Sequence, residues 1–205
     1  MSKIKVAIQG ELGAYSHIAV DRLYKEADIK TCSTFEETFK QAYNDQGYKI
    51  VIPIENSLAG RVADIHYLLP KYKLQIHGEY FLPVEHNLLA KPEAKIEDIK
   101  YVRSHAQAIS QCQNIITKRK FKSIISVDTA GSAKDLAEGN DKSIAAIASD
   151  LSAKMYNLKI LEKNIEDEKG NVTRFLIMGK NIEQPEYTTD KKFITSCIFR
   201  VKSEP

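Results

Sequence analysis

Along this chain, short apolar runs of strand length alternate with segments whose apolar residues recur every three or four positions. "KVAIQG" reads as a strand ending in glycine, and a helical pattern begins near Ser16. In "STFEETFKQAY", Thr34 and Glu37 fit a capping box, while Phe35 and Phe39 share one helical face. "KIVIPI" is a continuous apolar strand, followed by a helix around Val62 to Leu69. "LQIHGEYFLPVEHNLLA" is a long extended segment in which Pro83 marks a bend or an edge position.

The alternation then resumes. "YVRS" leads to a helix from about His105 to Arg119, and "IISVD" leads to the helix "AGSAKDLAEG", which stops at Gly139 as a C-terminal cap would. "IAAIAS" precedes the helix "DLSAKMYN", and "LKILEKNI" runs through a polar loop to "NVTRFLIMG". Strand-helix order of this kind predicts a mainly parallel α/β architecture.

We place a crossover between two lobes in the long extended run and the return crossing in "NVTRFLIMG". The expected division is residues 1–80 with 174–180 as the first lobe, 81–173 as the second, and 181–192 as a charged linker. The tail 193–205, "FITSCIFRVKSEP", alternates like one more strand, which cannot stand as a domain by itself.

Composition narrows the function classes. An apolar content of 43% over 205 residues supplies real cores. A formal charge of +3, without a long basic run, gives no electrostatic footprint for nucleic acid. No stretch approaches the ~20 apolar residues of a membrane span, and the N-terminal "MSKIKVAIQGEL" lacks a signal-peptide core. Cys32, Cys112 and Cys197 are odd in number and scattered, and the five histidines have no ligand spacing. The expectation is a cytoplasmic, soluble chain with no metal and no other cofactor.

Candidate chemistry gathers where strands hand over to helices: "QGELGAYSH", "IENSLAG", "SHAQA" and "DTAGSA". Ligands of open α/β sheets bind beyond the carboxyl ends of strands, where helix N-termini favour anions. Taken singly, Ser16, Ser104 and Thr129 read more readily as helix caps than as catalysts. Asn56 can both donate and accept hydrogen bonds and so suits orienting a ligand. Arg174 stands at the entrance of an otherwise buried strand and must find water, a salt-bridge partner or an anionic ligand.

"GELGAYSHIA", "VIPIENSLAG", "SHAQAISQC", "DTAGSAKDLAEGNDKSIAAIAS" and "NVTRFLIMG" occur in the order found in the prephenate and arogenate dehydratases, and the chain resembles that family from about Lys3 to Gly179. The resemblance implies two α/β lobes around a cleft, similar to the type II periplasmic-binding-protein fold. It also implies a C-terminal ACT regulatory domain that binds phenylalanine as an allosteric inhibitor, of which residues 193–205 look like the first strand. A homodimer or homotetramer is implied likewise.

By position, the family's TRF signature falls on Thr173, Arg174 and Phe175, with the threonine regarded as essential. Its "IENS" motif falls on Glu55, Asn56 and Ser57, and "SHPQA…QC" falls on Ser104, His105, Gln107, Gln111 and Cys112, with Ala106 in place of the usual proline. Ala14 stands where many bacterial members carry a threonine, and "AGRVAD" departs from the common bacterial "GSVNET".

The implied activity is a carbon–oxygen lyase reaction that converts prephenate to phenylpyruvate in phenylalanine biosynthesis, without a cofactor. Three tasks follow: holding the pyruvyl carboxylate, assisting the departing hydroxide, and orienting the departing carboxylate. Arg174 is expected to clamp the side-chain carboxylate, with a structural salt bridge as its rival; Phe175 is expected in a dry wall facing the leaving carboxylate. Thr173 is the first candidate to assist the hydroxide, and Glu55, if buried and protonated, is the alternative proton source. Asn56 completes the catalytic set, and Ser57, Ser104, Gln111, Thr129 and Ser16 are expected around the substrate. Arogenate dehydration, giving phenylalanine directly, is the nearest alternative; a non-catalytic small-anion binding module is the rival from another class.

Overall fold

A computed structural model of the chain describes residues 3–180, 188–190 and 192. In chain order the first part contains β1 (Ile4–Gln9), α1 (Tyr15–Leu23), β2 (Ala27–Cys32), α2 (Phe35–Asn44), β3 (Tyr48–Asn56), β4 (Gly60–Arg61), α3 (Ala63–Tyr72) and β5 (Gln75–Pro83). The second part runs through β6 (Asn87–Ala90), β7 (Tyr101–His105), α4 (Ala106–Ser110), α5 (Gln113–Arg119), β8 (Lys122–Ser126), α6 (Thr129–Glu138), β9 (Ile144–Ala148), α7 (Asp150–Met155) and β10 (Lys159–Glu162). β11 (Val172–Gly179) then returns to the first sheet.

Two sheets result, in the orders β2-β1-β3-β11-β5, with β4 beside β3, and β10-β6-β9-β7-β8. β1 pairs in parallel with β2 and β3, and β7 pairs in parallel with β8 and β9. The antiparallel pairings among the main strands involve β11 in the first sheet and β6 in the second. Those are the strands that carry the chain between sheets, so each enters against the direction of its hosts. The outward crossing lies between Pro83 and Asn87 and the return ends at Val172, a few residues from the expected borders. Thr173 therefore lies on the first sheet. The expected linker and the tail at 193–205 fall outside the described residues, apart from 188–190 and 192.

The first sheet is buried on both faces. Phe39, Ile50, Ile52, Ile65 and Met178 pack on one side, and Val6, Ile8, Val20, Val51 and Phe175 on the other. That is why "KIVIPI" reads as an unbroken apolar run instead of alternating. In the second sheet, Val102, Ile109, Ile116 and Ile147 form one core and Leu89, Leu136, Ala146 and Ala148 the other.

Local differences from the sequence reading have identifiable causes. The helix expected from His105 to Arg119 is broken at Gln111 and Cys112 into α4 and α5. Asp167 starts the second piece by accepting hydrogen bonds from the backbone N–H groups of Gln113 (2.7 Å) and Asn114 (3.0 Å). Gly139 follows α6 with an ordinary φ of −72°, so a left-handed glycine cap is not what ends the helix.

Candidate active site

A cavity of about 350 Å³ opens between the two sheets. Its walls come from the ends of β1 and β3, the starts of α1, α2, α4 and α6, the crossing at Val84 and His86, and the return crossing at Asn171 to Phe175. The sequence places its chemistry here by one backbone irregularity. β3 shifts register against β11 where Arg174 faces Glu55 but Phe175 faces Pro53. Proline cannot donate to the ladder, and such a bulge re-aims the residues beside it. Pro53 and Asn56, three apart, thereby both line the cavity, where a regular strand would face them oppositely.

Among the expected site residues, Asn56, Thr173, Phe175, Gln111, Thr129 and Ser16 all line this cavity. Asn56 is held rigidly. Its Oδ1 accepts from the backbone N–H groups of Leu58 (3.0 Å) and Ala59 (2.9 Å). Its Nδ2 therefore carries the protons and donates to Asn171 Oδ1 (2.6 Å) and Thr173 Oγ1 (3.0 Å). Thr173 faces Asn56 across the strand pair and is 9% exposed.

The other four expected residues stand elsewhere. Arg174 alternates to the face opposite Thr173 and Phe175 and does not line the cavity. Its guanidinium is committed: Nε donates to Glu79 Oε2 at 2.7 Å, Nη2 lies 2.6 Å from the same oxygen, and Nη1 lies 3.0 Å from Glu55 Oε1. The Phe81 ring lies beneath it, 5.9 Å from centroid to Cζ. Glu55 is likewise outside the cavity, and its side chain is 51% exposed and paired with Arg174, so it is not the buried carboxyl that the sequence reading required of it. Ser57 donates to Gly170 O (2.8 Å) and accepts from Val172 N–H (2.9 Å), tying the loop after β3 to the return crossing. Ser104 is fully buried, its hydroxyl donating to Ile147 O at 2.6 Å between adjacent strands.

The caps also shift by one position. Asp128, not Thr129, caps α6 through Gly131 N–H (2.6 Å), and His105, not Ser104, caps α4 through Gln107 N–H (3.3 Å). Ser16 lies inside the first turn of α1, whose N-cap Ala14 contributes no side-chain bond. Ser16 and Thr129 are thus left pointing at the cavity without a capping duty.

Tyr15, His86 and Asn171 escaped the sequence reading as site residues, though all line the cavity. Tyr15 Oη lies 2.8 Å from His86 Nδ1 and 2.8 Å from Glu85 O; His86 Nε2 lies 3.0 Å from Gln111 Oε1. Asn171 Nδ2 donates to the same Gln111 oxygen at 3.0 Å. Burial, helped by the charges of Glu166 and other nearby carboxylates, holds the Tyr15 phenol well above its ordinary range, so it stays a neutral hydrogen-bonding group. Burial likewise drives the thiol of Cys112 upward, leaving it an inert core group. One signal in the sequence could have found His86: a charged-polar pair, Glu85 and His86, interrupts an apolar segment just after Pro83.

Among the described residues, no group of three His, Cys, Asp or Glu side chains is placed to hold a metal ion. The described lining holds neither lysine nor arginine, and its one carboxylate, Asp128, is spent on the α6 cap. What remains is a set of amide, hydroxyl and imidazole groups together with Phe35, Val84, Val127 and Phe175. Such a lining can grip a small anion by amides, hydroxyls and helix beginnings while keeping an apolar ring dry.

A prephenate dehydratase domain model matches residues 6–183. The chain is 39% identical over its whole length to an Arabidopsis thaliana protein named arogenate dehydratase/prephenate dehydratase 2, chloroplastic, of which it covers 53%. Over 98% of its length it is 36% identical to a bifunctional N-acyl-homoserine lactone acylase/prephenate dehydratase of Komagataeibacter europaeus, covering 71% of that protein. The solved prephenate dehydratase of Staphylococcus aureus superposes with a TM-score of 0.74 at 30% identity, over 87% of this chain and 67% of that one. The chain spans about half the length of the plant relatives it matches. With its family model, its relatives and its two-sheet cleft in agreement, this chain belongs to the prephenate dehydratase family.

Proposed function

We propose that the chain converts prephenate to phenylpyruvate, with Thr173 assisting the departing hydroxide. The observation that supports this most directly is the direction of one hydrogen bond. Because Asn56 Nδ2 can only donate, Thr173 Oγ1 accepts from it, and the threonine proton is left for the cavity. A hydroxyl that accepts a hydrogen bond becomes a better donor.

In the reaction the bond between the ring and its carboxylate breaks, and its electron pair enters the ring. The C4–O bond breaks at the other end, hydroxide takes a proton from solvent to leave as water, and carbon dioxide is released. Aromatisation drives the process, so the protein's share is orientation and stabilisation of the leaving oxygen. Thr173 donates to that oxygen. Gln111, Thr129 and Ser16, with the first turns of α1 and α6, hold the pyruvyl carboxylate. Phe175 and the other apolar lining residues face the carboxylate that departs, where a tight ion pair would have stabilised the ground state.

Arg174 becomes a brace in this reading. Arg174→Lys keeps a cation between Glu55 and Glu79 but loses the forked contact. Discounting for partly exposed partners, the expected loss is about 1 kcal/mol, or roughly 2–4 °C of melting temperature. The Michaelis constant should change less than about 2-fold, and a rise of ~10-fold would return Arg174 to the substrate.

Arogenate is the second reading, favoured by the names of the plant relatives. Its ammonium group would need an acid, and Asp128 is the carboxylate on the described lining, already engaged with Gly131 N–H. A lining of neutral donors suits the keto acid better. The test incubates purified protein with each compound, following phenylpyruvate by ultraviolet absorbance and phenylalanine by chromatography. We expect kcat/KM to favour prephenate by about 10-fold or more, the step of one lost charge-assisted contact. The opposite order gives the chain to arogenate, and tight binding of phenylpyruvate without turnover of either compound makes it a binding module.

A further inference from the structure

We propose that His86 is a positioning residue, a neutral imidazole whose Nε2–H joins Asn171 in holding the Gln111 carboxamide with its NH₂ group toward the cavity. What that amide binds follows from the dehydratase reading above; the hydrogen-bond directions do not depend on it.

Those directions propagate from two backbone amides. Leu58 and Ala59 N–H can only donate, which makes the Asn56 atom they meet its oxygen. The other end of Asn56 is therefore NH₂, so the Asn171 atom 2.6 Å away is Oδ1. Asn171 in turn presents its own NH₂ to Gln111, which fixes the Gln111 atom at 3.0 Å as Oε1. His86 Nε2 lies 3.0 Å from that same oxygen and must donate to it.

Either neutral alternative at the Gln111 end sets like against like. A bare Nε2 would oppose its lone pair to the carbonyl oxygen, and a flipped Gln111 would set its NH₂ against that of Asn171. Buried mismatches of this kind cost about 1–3 kcal/mol each. With the proton on Nε2, Nδ1 accepts from the Tyr15 hydroxyl 2.8 Å away, so that Nδ1 and Glu85 O, each 2.8 Å from the oxygen, share its single proton.

Burial at 3% exposure favours this neutral form, against smaller opposing pulls from Gln111 and the Glu166 carboxylate. The Gln111 oxygen, holding two donors, is satisfied. Its NH₂ group remains for the cavity, with two protons aimed where an anion would sit. In the opposite orientation the carbonyl would repel a carboxylate. Removing His86 takes away one of the two donors that hold the Gln111 oxygen and leaves Asn171 alone to orient it, so substrate binding should suffer more than the chemical step.

The test has two arms. In the unmodified chain labelled with ¹⁵N-histidine at neutral pH, the imidazole of His86 should show a protonated Nε2 and a bare Nδ1. A proton on Nδ1, alone or together with Nε2, overturns the proposal whether or not any variant folds. In the second arm, His86→Leu should raise KM for prephenate about 10-fold while kcat stays within about 3-fold, and His86→Gln, whose amide can donate from nearly the same place, should recover most of the loss. Equal impairment of both variants, or an unmoved KM in a folded His86→Leu protein, assigns His86 to packing alone. Failure of the unmodified chain to turn over either substrate would remove the dehydratase reading but leave the tautomer result standing.

Discussion

Replacing Thr173 by valine should lower kcat by about 10²–10³-fold and leave the fold intact, the loss typical of a donor aimed at charge developing in a transition state. Valine keeps the branched shape and the strand preference of threonine. It strands nothing, because Asn56 Nδ2 retains Asn171 Oδ1 at 2.6 Å as its partner. The Michaelis constant should move only a few-fold, since the hydroxyl is proposed to act on the leaving oxygen and not on the bound ground state. Thr173→Ser should restore most of the rate. Turnover by Thr173→Val near that of the unmodified protein, with matching circular dichroism, would end the assignment.

The same idea can be tested without touching the threonine. Asn56→Asp preserves size and still accepts from the Leu58 and Ala59 N–H groups. Its second oxygen, however, would replace the donor facing Thr173 Oγ1 at 3.0 Å. The threonine proton would then turn to that carboxylate and away from the cavity. A fall in kcat comparable to that of Thr173→Val is expected; because Asn171 Oδ1 meets the same Asn56 nitrogen at 2.6 Å, a fall with KM unmoved locates the effect in the direction of the hydroxyl, and a raised KM locates it in a turned Asn171 and Gln111.

How far the sequence revealed all this differed by level. Element order and the two-lobed plan were legible because apolar runs of four to six residues and helical periodicity report burial directly, as in "KIVIPI" and "IAAIAS". Thr173, Asn56 and Gln111 were legible through the motifs that contain them. The neighbours within those motifs were harder, because a strand sends successive residues to opposite faces. Motif membership cannot separate Thr173 from Arg174, or Asn56 from Glu55, and the register shift at Pro53 decides the second pair. His86 and Asn171 were missed for a different reason: what ties them to the cavity is a pair of hydrogen bonds to Gln111 that span 25 and 60 positions of sequence, which no local pattern encodes.

Gly13→Ala should be the most destabilising small substitution in the cleft, at about 3 kcal/mol or roughly 6–12 °C of melting temperature. Two costs coincide there. Gly13 has φ +91°, a conformation that side chains strain to adopt, and an added Cβ would lie 2.7 Å from Ser152 Oγ and 2.9 Å from Ser152 Cα. The second of these is backbone and cannot swing aside. The crowding has a purpose visible in the hydrogen bonds: Gly13 O accepts from Ser149 Oγ (2.6 Å) and Ser152 Oγ (3.0 Å), and Leu12 O accepts from the Tyr156 hydroxyl (2.7 Å). Glu11 adds a salt bridge to Lys134 at 3.1 Å. Together these pin the loop before α1 to α6 and α7 of the second part and thereby set where Tyr15 and Ser16 meet the cavity. Gly10→Ala is the control, because Gly10 has φ +96° but its nearest new contact would be an ordinary 3.8 Å. It should cost only the conformational share, about 1–2 kcal/mol. Thermal melts of the two variants separate strain from crowding, and equal shifts would mean that the close approach to Ser152 is not holding the two sheets in register.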